Sequence, residues 1–399
     1  TVRTAAAYGA TVLSSARAVG RQRAGERVVG AVVEDVESGE RTQVSASVVI
    51  NATGVWTDDI QAMAGGRGQF RVRASKGVHV VVARDRINSE TGLILRTEKS
   101  VLFVIPWGTH WIIGTTDTDW DLDRAHPAAT RADIDYLLEH LNAVLKVPLT
   151  PADIQGVYAG LRPLLSGESE HTSSLSREHA VARPQPGLVS IAGGKYTTYR
   201  VMAADAVDVA REDIGGEVSD SVTEDIPLSG AEGYVALVNQ VDRLARHQDL
   251  PAWRVRHLLQ RYGSLVHEVF ALAESDRSLY DPLPGAEEYL MVEALYAATH
   301  EAALHLDDIL TRRTRISIET PSRGVDSAPS VAALVAPVLG WDAAQVEAEV
   351  TAYRSRVDAE LESQKELADS EANAERLSAP DARRIPVSRD QPKEAAAED

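Results

Sequence analysis

Gly193-Gly194-Lys195-Tyr196-Thr197-Thr198-Tyr199-Arg200 stands between a short apolar run at 188–192 and a stretch with helical spacing at 198–215. Two glycines let the backbone approach a ligand closely, because no side chain blocks it. The helix that follows presents free N–H groups and a partial positive charge at its start. Lys195 adds a mobile cation. A buried strand entering a glycine turn and then a helix reads as α/β architecture. The turn is not a Walker phosphate loop, since the Gly-x-x-x-x-Gly spacing is absent.

Upstream lies a second turn of the same kind. Asn51-Ala52-Thr53-Gly54-Val55-Trp56 follows the apolar run Ser47-Val48-Val49-Ile50, which lacks alternation and predicts a strand buried on both faces. An ordinary strand-to-helix turn accounts for these residues about as well as a ligand site does. Before it, strands are expected at 10–18, 27–36 and 41–50, with a turn at 20–25. Further strands are expected at 77–83, 92–95, 100–106 and 110–116, forming one antiparallel sheet. A helix over 131–145 has Thr130 as N-cap and Pro148 as its stop. From about Gly230 the pattern turns helical, with amphipathic helices at 252–275, 286–314 and 331–363. Residues 364–399 are polar and charged and predict a disordered tail. There is no internal repeat.

Composition narrows the function. The 399 residues suggest two or three domains, and a hydrophobic fraction of 44% supports a substantial core. A net charge of −18 argues against nucleic acid as partner and against docking on an anionic membrane by bulk charge. The chain has no cysteine, which removes thiolate nucleophiles and cysteine-held metals and suits a reducing cytoplasm. No apolar run approaches the roughly 20 residues of a membrane span. The first ten residues do not read as a signal peptide; they begin as if in mid-helix.

Three more motifs carry candidate chemistry. In Ser75-Lys76-Gly77-Val78-His79 a histidine follows a glycine just inside a strand. Its pKa range suits proton abstraction, although a lone histidine is more often structural. Trp111-Ile112-Ile113-Gly114-Thr115-Thr116-Asp117 ends a hairpin; turn chemistry explains the corner, or Thr116 offers a hydroxyl to a polar substrate. In Ala159-Gly160-Leu161-Arg162-Pro163 an arginine in an apolar stretch needs a partner, either a structural carboxylate or a bound anion. Arg177 is a weaker version of the same and, beside Glu178, reads equally as a surface pair.

These five motifs, in this order and spacing, resemble the FAD-dependent glycerol-3-phosphate dehydrogenase family of the D-amino-acid-oxidase superfamily, from Thr1 to about Ile318. Arg261-Tyr262-Gly263, His300-Glu301 and the run from Asp307 to Thr314 are similar to that family's helical cap. The resemblance implies an α/β (α+β) chain with an incomplete doubly wound FAD-binding domain, an antiparallel substrate domain and a C-terminal helical domain. The expected segments are 1–69 and 166–228 for the flavin, 70–165 for the substrate, 229–363 for the cap and 364–399 for the tail.

The same resemblance implies oxidation of sn-glycerol 3-phosphate to dihydroxyacetone phosphate, with hydride to FAD and electrons on to a quinone. It implies His79 as candidate base, and Arg162, Arg177 and Lys195 as the cations that hold the phosphate and the developing carbonyl oxygen. Thr116 lines the pocket. Asn51, Ala52, Thr53, Gly54 and Trp56, with Gly193, Gly194, Lys195, Tyr196, Thr197 and Thr198, are the implied flavin contacts. No metal is implied. A cytoplasmic protein is expected, with peripheral contact at the inner face of the membrane and a homodimer as inherited possibilities.

One departure stands out. The family's G-x-G-x-x-G strand–turn–helix and its early Arg-Tyr segment are absent, and Ala64-Gly65-Gly66-Arg67-Gly68 follows a helix, so it does not replace them. The expectation is a truncated chain that retains FAD poorly and exposes apolar sheet faces and edges. Two other readings stand beside the dehydrogenase: an amine oxidase of the same superfamily, and an inactive fragment folded chiefly through its helices.

Overall fold

The computed structural model describes residues 1–63, 71–97, 101–165 and 178–384. The chain divides into two compact units. One comprises Leu13–Ile226 with Ala359–Ser378; the other comprises Thr1–Val12 and Pro227–Asp358 with the described residues from Ala379.

In chain order the strands of the first unit are β1 (Ala16–Ala24), β2 (Arg27–Asp35), β3 (Arg41–Ser45), β4 (Val49–Asn51), β5 (Val72–Ala83), β6 (Leu93–Arg96), β7 (Val101–Trp107), β8 (His110–Gly114), β9 (Thr118–Trp120), β10 (Ile154–Leu165), β11 (His179–Gln185) and β12 (Leu188–Gly193). β1, β2 and β3 form an antiparallel meander. The large sheet runs β10-β5-β8-β7-β6, with β9 also on β5. A third sheet, β11-β12-β4, pairs β12 with β4 in parallel. Helix α1 (Val2–Ala7) belongs to the other unit, and α2 (Thr57–Met63) follows β4. Helix α3 (Arg131–Asn142) packs Ile134, Leu137, Leu138 and Leu141 on Val78, Val80 and Val82 of β5. Its start is a capping box in which Thr130 and Asp133 satisfy each other's N–H groups. Helix α4 (Tyr199–Ile214) leaves β12 through the glycine turn.

The second unit continues with α5 (Tyr234–Val238), α6 (Val241–Gln248), α7 (Ala252–Tyr262), α8 (Val266–Leu272), the hairpin β13 (Pro282–Leu283) and β14 (Ala286–Leu290), α9 (Met291–His300), α10 (Ile316–Glu319), α11 (Ala328–Leu339) and α12 (Ala343–Ser363), whose residues from Ala359 count with the first unit. Helix α13 (Asp369–Arg376) belongs to the first unit.

Several expectations need correction. The first strand lies at 16–24, with Gly20 inside it opposite Val32, so the turn is at Gly25. The expected strand at 41–50 is two strands in different sheets, and β4 is an edge strand with Ile50 exposed, not buried on both faces. The expected helix at 252–275 breaks at Gly263, whose φ is +58° and whose Cα packs on the Gly230 carbonyl so closely that no Cβ fits. The expected helix at 286–314 opens instead with the β13–β14 hairpin, which Pro282, Pro284 and Gly285 set up. The helix expected at 331–363 stops at Gly340 and restarts. The tail expected to be disordered from Gln364 holds α13, with Ala372 fully buried; residues 385–399 lie outside the described residues. Among the described residues no helix is long and apolar enough to cross a membrane.

One buried carboxylate ties the third sheet to the meander and to α4. Asp213, near the end of α4, accepts from Arg183 of β11 at 2.7 Å and from Arg27 of β2 at 2.7 Å, and also from the Gly187 N–H. Arg183 chiefly, then Gly187 and Arg27, hold its carboxyl down to about 2. The stability it contributes is complete above its unfolded value of 3.8 and is lost as pH falls through 2. Replacing Asp213 with Asn is expected to lower unfolding free energy at pH 7 by roughly 1–2 kcal/mol, the loss of charge-assisted hydrogen bonds to two arginines that remain about a third exposed to water. Urea unfolding at pH 7 checks this; an unchanged midpoint would show that the cluster contributes nothing net.

Candidate functional site

Strand β5 has two faces of opposite character. Ala74, Lys76, Val78, Val80 and Val82 point toward the buried side, while Ser75, Gly77 and His79 lie on the other. The antiparallel register sets Arg162 opposite Ser75, Gly160 opposite Gly77 and Tyr158 opposite His79. On the far side His79 faces Gly114 of β8. Directly opposed residues share a face, so one patch of sheet collects His79, Tyr158, Arg162 and three glycines, Gly77, Gly114 and Gly160.

The guanidinium of Arg162 occupies the space a side chain at 77 would need: a Cβ there would sit 2.5 Å from Nη2 and 2.6 Å from the Thr115 hydroxyl oxygen. Arg162 donates to the Thr115 hydroxyl at 3.0 Å and to the Thr116 carbonyl at 3.3 Å, and its Nη1 lies 3.7 Å from a carboxylate oxygen of Asp117. Ser75 donates its hydroxyl to that same Asp117 oxygen. The arginine thus has a structural carboxylate, held at long range. Thr116 is buried, and its hydroxyl accepts the Val78 N–H at 3.0 Å, so it ties β5 to the corner after β8.

His79 lies against Tyr158, rings parallel with centroids 4.7 Å apart. A Cβ at Gly114 would fall 2.2 Å from the imidazole, so the ring rests where only glycine leaves room. Its Nδ1 is buried with no hydrogen-bond partner among the described residues. Burial first, then the charge of Arg162, lowers its pKa from 6.5 to about 4. At neutral pH the ring is an uncharged base. Between pH 6.5 and 4 the unfolded chain binds a proton that the folded chain refuses, so folding stability falls as pH drops through that window.

A second group of residues surrounds the β12–β4 pair. Asn51 is buried and structural: its amide donates to the Thr57 carbonyl and Ser190 hydroxyl, and its oxygen accepts from the N–H and hydroxyl of Thr53. This knot shapes the turn through Ala52 and Gly54, the latter at φ +60°. Gly193 and Gly194, at +77° and +84°, form the other turn. Both turns abut the end of β10, since Pro163 is the nearest neighbour of Gly54 and Leu165 packs on Gly193. Lys195, Tyr196, Thr197 and Thr198 are exposed at the start of the helical segment, and Trp56 is 43% exposed.

The structure therefore brings His79 and Arg162 onto one sheet with Thr116 in the corner beside it, and the Asn51–Gly54 and Gly193–Thr198 turns onto the β12–β4 pair of strands. Arg177 lies outside the described residues. Sequence reading did not single out Tyr158, Ser75, Asp117 or Thr115. The Gly-x-His spacing and the Gly-Thr-Thr-Asp corner were their available signals, but only the register pairs those segments. Among the described residues no cluster of His, Asp and Glu is arranged for a metal ion.

A family described as FAD dependent oxidoreductase matches residues 1–200, and one described as the C-terminal domain of alpha-glycerophosphate oxidase matches 221–346. Glycerol-3-phosphate dehydrogenase 2 of Mycobacterium tuberculosis is 63% identical over 381 residues, 96% of this chain and 65% of that protein. The aerobic glycerol-3-phosphate dehydrogenase of Staphylococcus aureus is 32% identical over 335 residues, 81% of this chain and 60% of that protein. The glycerol-3-phosphate dehydrogenase of Bacillus halodurans, solved in complex with FAD, superimposes with a TM-score of 0.76 at 28% identity, covering 90% of this chain and 70% of that one. This chain thus spans about 65% of the length of its mycobacterial relatives.

The pKa of His79 is directly measurable. In an NMR titration its imidazole is expected to remain neutral at pH 6 and to titrate near 4, and Arg162→Met is expected to raise that midpoint. A midpoint near 6.5 would mean the ring is solvated and the base is not preset.

Proposed function

The chain belongs to the FAD dependent oxidoreductase family, and we propose that within it the protein oxidises sn-glycerol 3-phosphate to dihydroxyacetone phosphate, with a quinone as final electron acceptor. The observation that carries this reading is the pairing of Arg162 with a neutral His79 on one strand-borne patch.

The residues present suit a flavin. Among the described residues a Cβ at Gly160 would meet nothing within 4 Å, and at Gly54 only Pro163 at 4.0 Å, so both backbones leave room for a flat ring. The turn from Gly193 to Thr198 and the turn from Asn51 to Gly54, with Trp56, are the segments that would hold it, and Lys195 would supply charge to its electron-rich edge. Bound FAD supplies the acceptor for the hydride from C2 of the substrate.

The remaining work falls to the chain's own side chains. Arg162 binds the phosphate dianion through its planar fork, with Arg177 and Lys195 as further cations. Thr115 and Asp117 keep that fork oriented before substrate arrives. His79 takes the C2 hydroxyl proton as the carbonyl forms, which its depressed pKa permits throughout the neutral range. Tyr158 stacks on the imidazole and fixes its plane. We further propose contact with the inner face of the cell membrane, where a quinone is reached, and a homodimer as the working assembly; both rest on the family resemblance.

The two roles separate kinetically. Arg162→Met is expected to raise KM for glycerol 3-phosphate by roughly 10- to 100-fold, the loss of charge-assisted hydrogen bonds. His79→Asn is expected to lower kcat by roughly 10²- to 10⁴-fold with a much smaller change in KM. Steady-state kinetics with the FAD-loaded protein decides. An Arg162 variant with unchanged KM would remove the phosphate from that site.

A further inference from the structure

Lys76 is fully buried on the face of β5 opposite His79. Its ammonium pairs with Asp133 of α3 at 2.7 Å and with Asp369, the first residue of α13, and donates to the Ala128 carbonyl at 3.2 Å. The Trp120 ring lies 5.0 Å from the nitrogen. A buried ammonium is tolerated only when paired, so two carboxylates from separate elements are drawn to one point. The segment carrying Asp369 is fastened there independently. Ala372 is buried with Ala74, Trp120 and Ala128, and the Glu366 carbonyl accepts the Arg131 N–H at 2.8 Å.

What Lys76 sits between gives this pair its meaning. Ser75 on one side donates to Asp117, and Gly77 on the other lies directly under the guanidinium of Arg162. Both supports of Arg162 are therefore one peptide unit from the anchored lysine. Packed strands do not deform smoothly, so a displacement of β5 at residue 76 moves both supports together.

We infer that Asp369 is a positioning residue for the anion site: through Lys76 and β5 it fixes the guanidinium of Arg162 and thereby the affinity for the substrate's phosphate. The inference rests on the reading of Arg162 as the phosphate anchor. It gives the C-terminal segment a role in substrate binding although none of its residues touches the substrate.

A double-mutant cycle tests it, read by calorimetric titration of glycerol 3-phosphate into the FAD-loaded protein with its flavin already reduced by dithionite, for the parent, D369N, R162K and the double variant. D369N leaves Asp133 in place, so Lys76 keeps one carboxylate and the fold keeps its buried pair. D369N alone is expected to weaken binding about five- to tenfold, but by less than about twofold in the R162K background, because coupled residues are non-additive. Thermal unfolding run in parallel reads any structural loss separately. A lowered thermal midpoint with unchanged affinity would overturn the inference, as would equal losses of affinity in both backgrounds. If R162K itself binds as tightly as the parent, the anchor reading fails and takes the inference with it. D369E, which keeps the charge, is expected to restore affinity to within about twofold of the parent; failure to do so with an intact fold also counts against it.

Discussion

The guanidinium of Arg162 lies in the space over Gly77 that any larger residue would fill, and most of the site's geometry depends on that contact. An arginine is a long, flexible cation, and left to itself it would extend toward water. Here Thr115, the Thr116 carbonyl and Asp117 hold it down on β5, and Ser75 holds Asp117. The charge so fixed lowers the pKa of His79, after burial has already done most of the work. Anion site and base are thus parts of one electrostatic arrangement. The cation proposed to attract a dianion also adds to the burial that keeps the neighbouring imidazole neutral.

Glycines recur wherever this arrangement is tight. Gly77 admits the guanidinium and Gly114 admits the imidazole. Gly54 and Gly193 turn the ends of β4 and β12 toward the tip of β10. At Gly77, Gly114 and Gly193 a Cβ would occupy the volume that a functional group or a packed neighbour already holds, whereas Gly54 serves its turn through a positive φ. On β5 and β8 the patch is built by omission of side chains at two points, Gly77 and Gly114, with a guanidinium and an imidazole filling what is left open.

Much of this was legible in the chain. The glycine turns, the capped helix after Thr130 and the strand expected at 77–83 are local signals, and they survive in the structure because no distant contact opposes them. Pairing is different. Nothing in the order of residues says that Arg162 faces Ser75 or that His79 faces Gly114, because register is settled by packing across strands far apart in sequence. The helical unit misled for the opposite reason. At 286–290 an apolar pattern that fits a helix is overridden by a short hairpin set by prolines and a glycine, and at Gly263 a tertiary contact with Gly230 breaks a periodic stretch. The charged segment after Gln364 looked unable to fold alone. It is ordered by Lys76, a partner nearly 300 residues away in the chain.

The most direct measurement is the absorption spectrum of the FAD-loaded protein, recorded without oxygen before and after addition of substrate. A site built on a fixed arginine and a neutral histidine predicts that glycerol 3-phosphate bleaches the flavin band while glycine and sarcosine leave it unchanged. A flavin that ignores glycerol 3-phosphate but bleaches with an amine would contradict the assignment of Arg162 to a phosphate, and with it the reading of the whole patch.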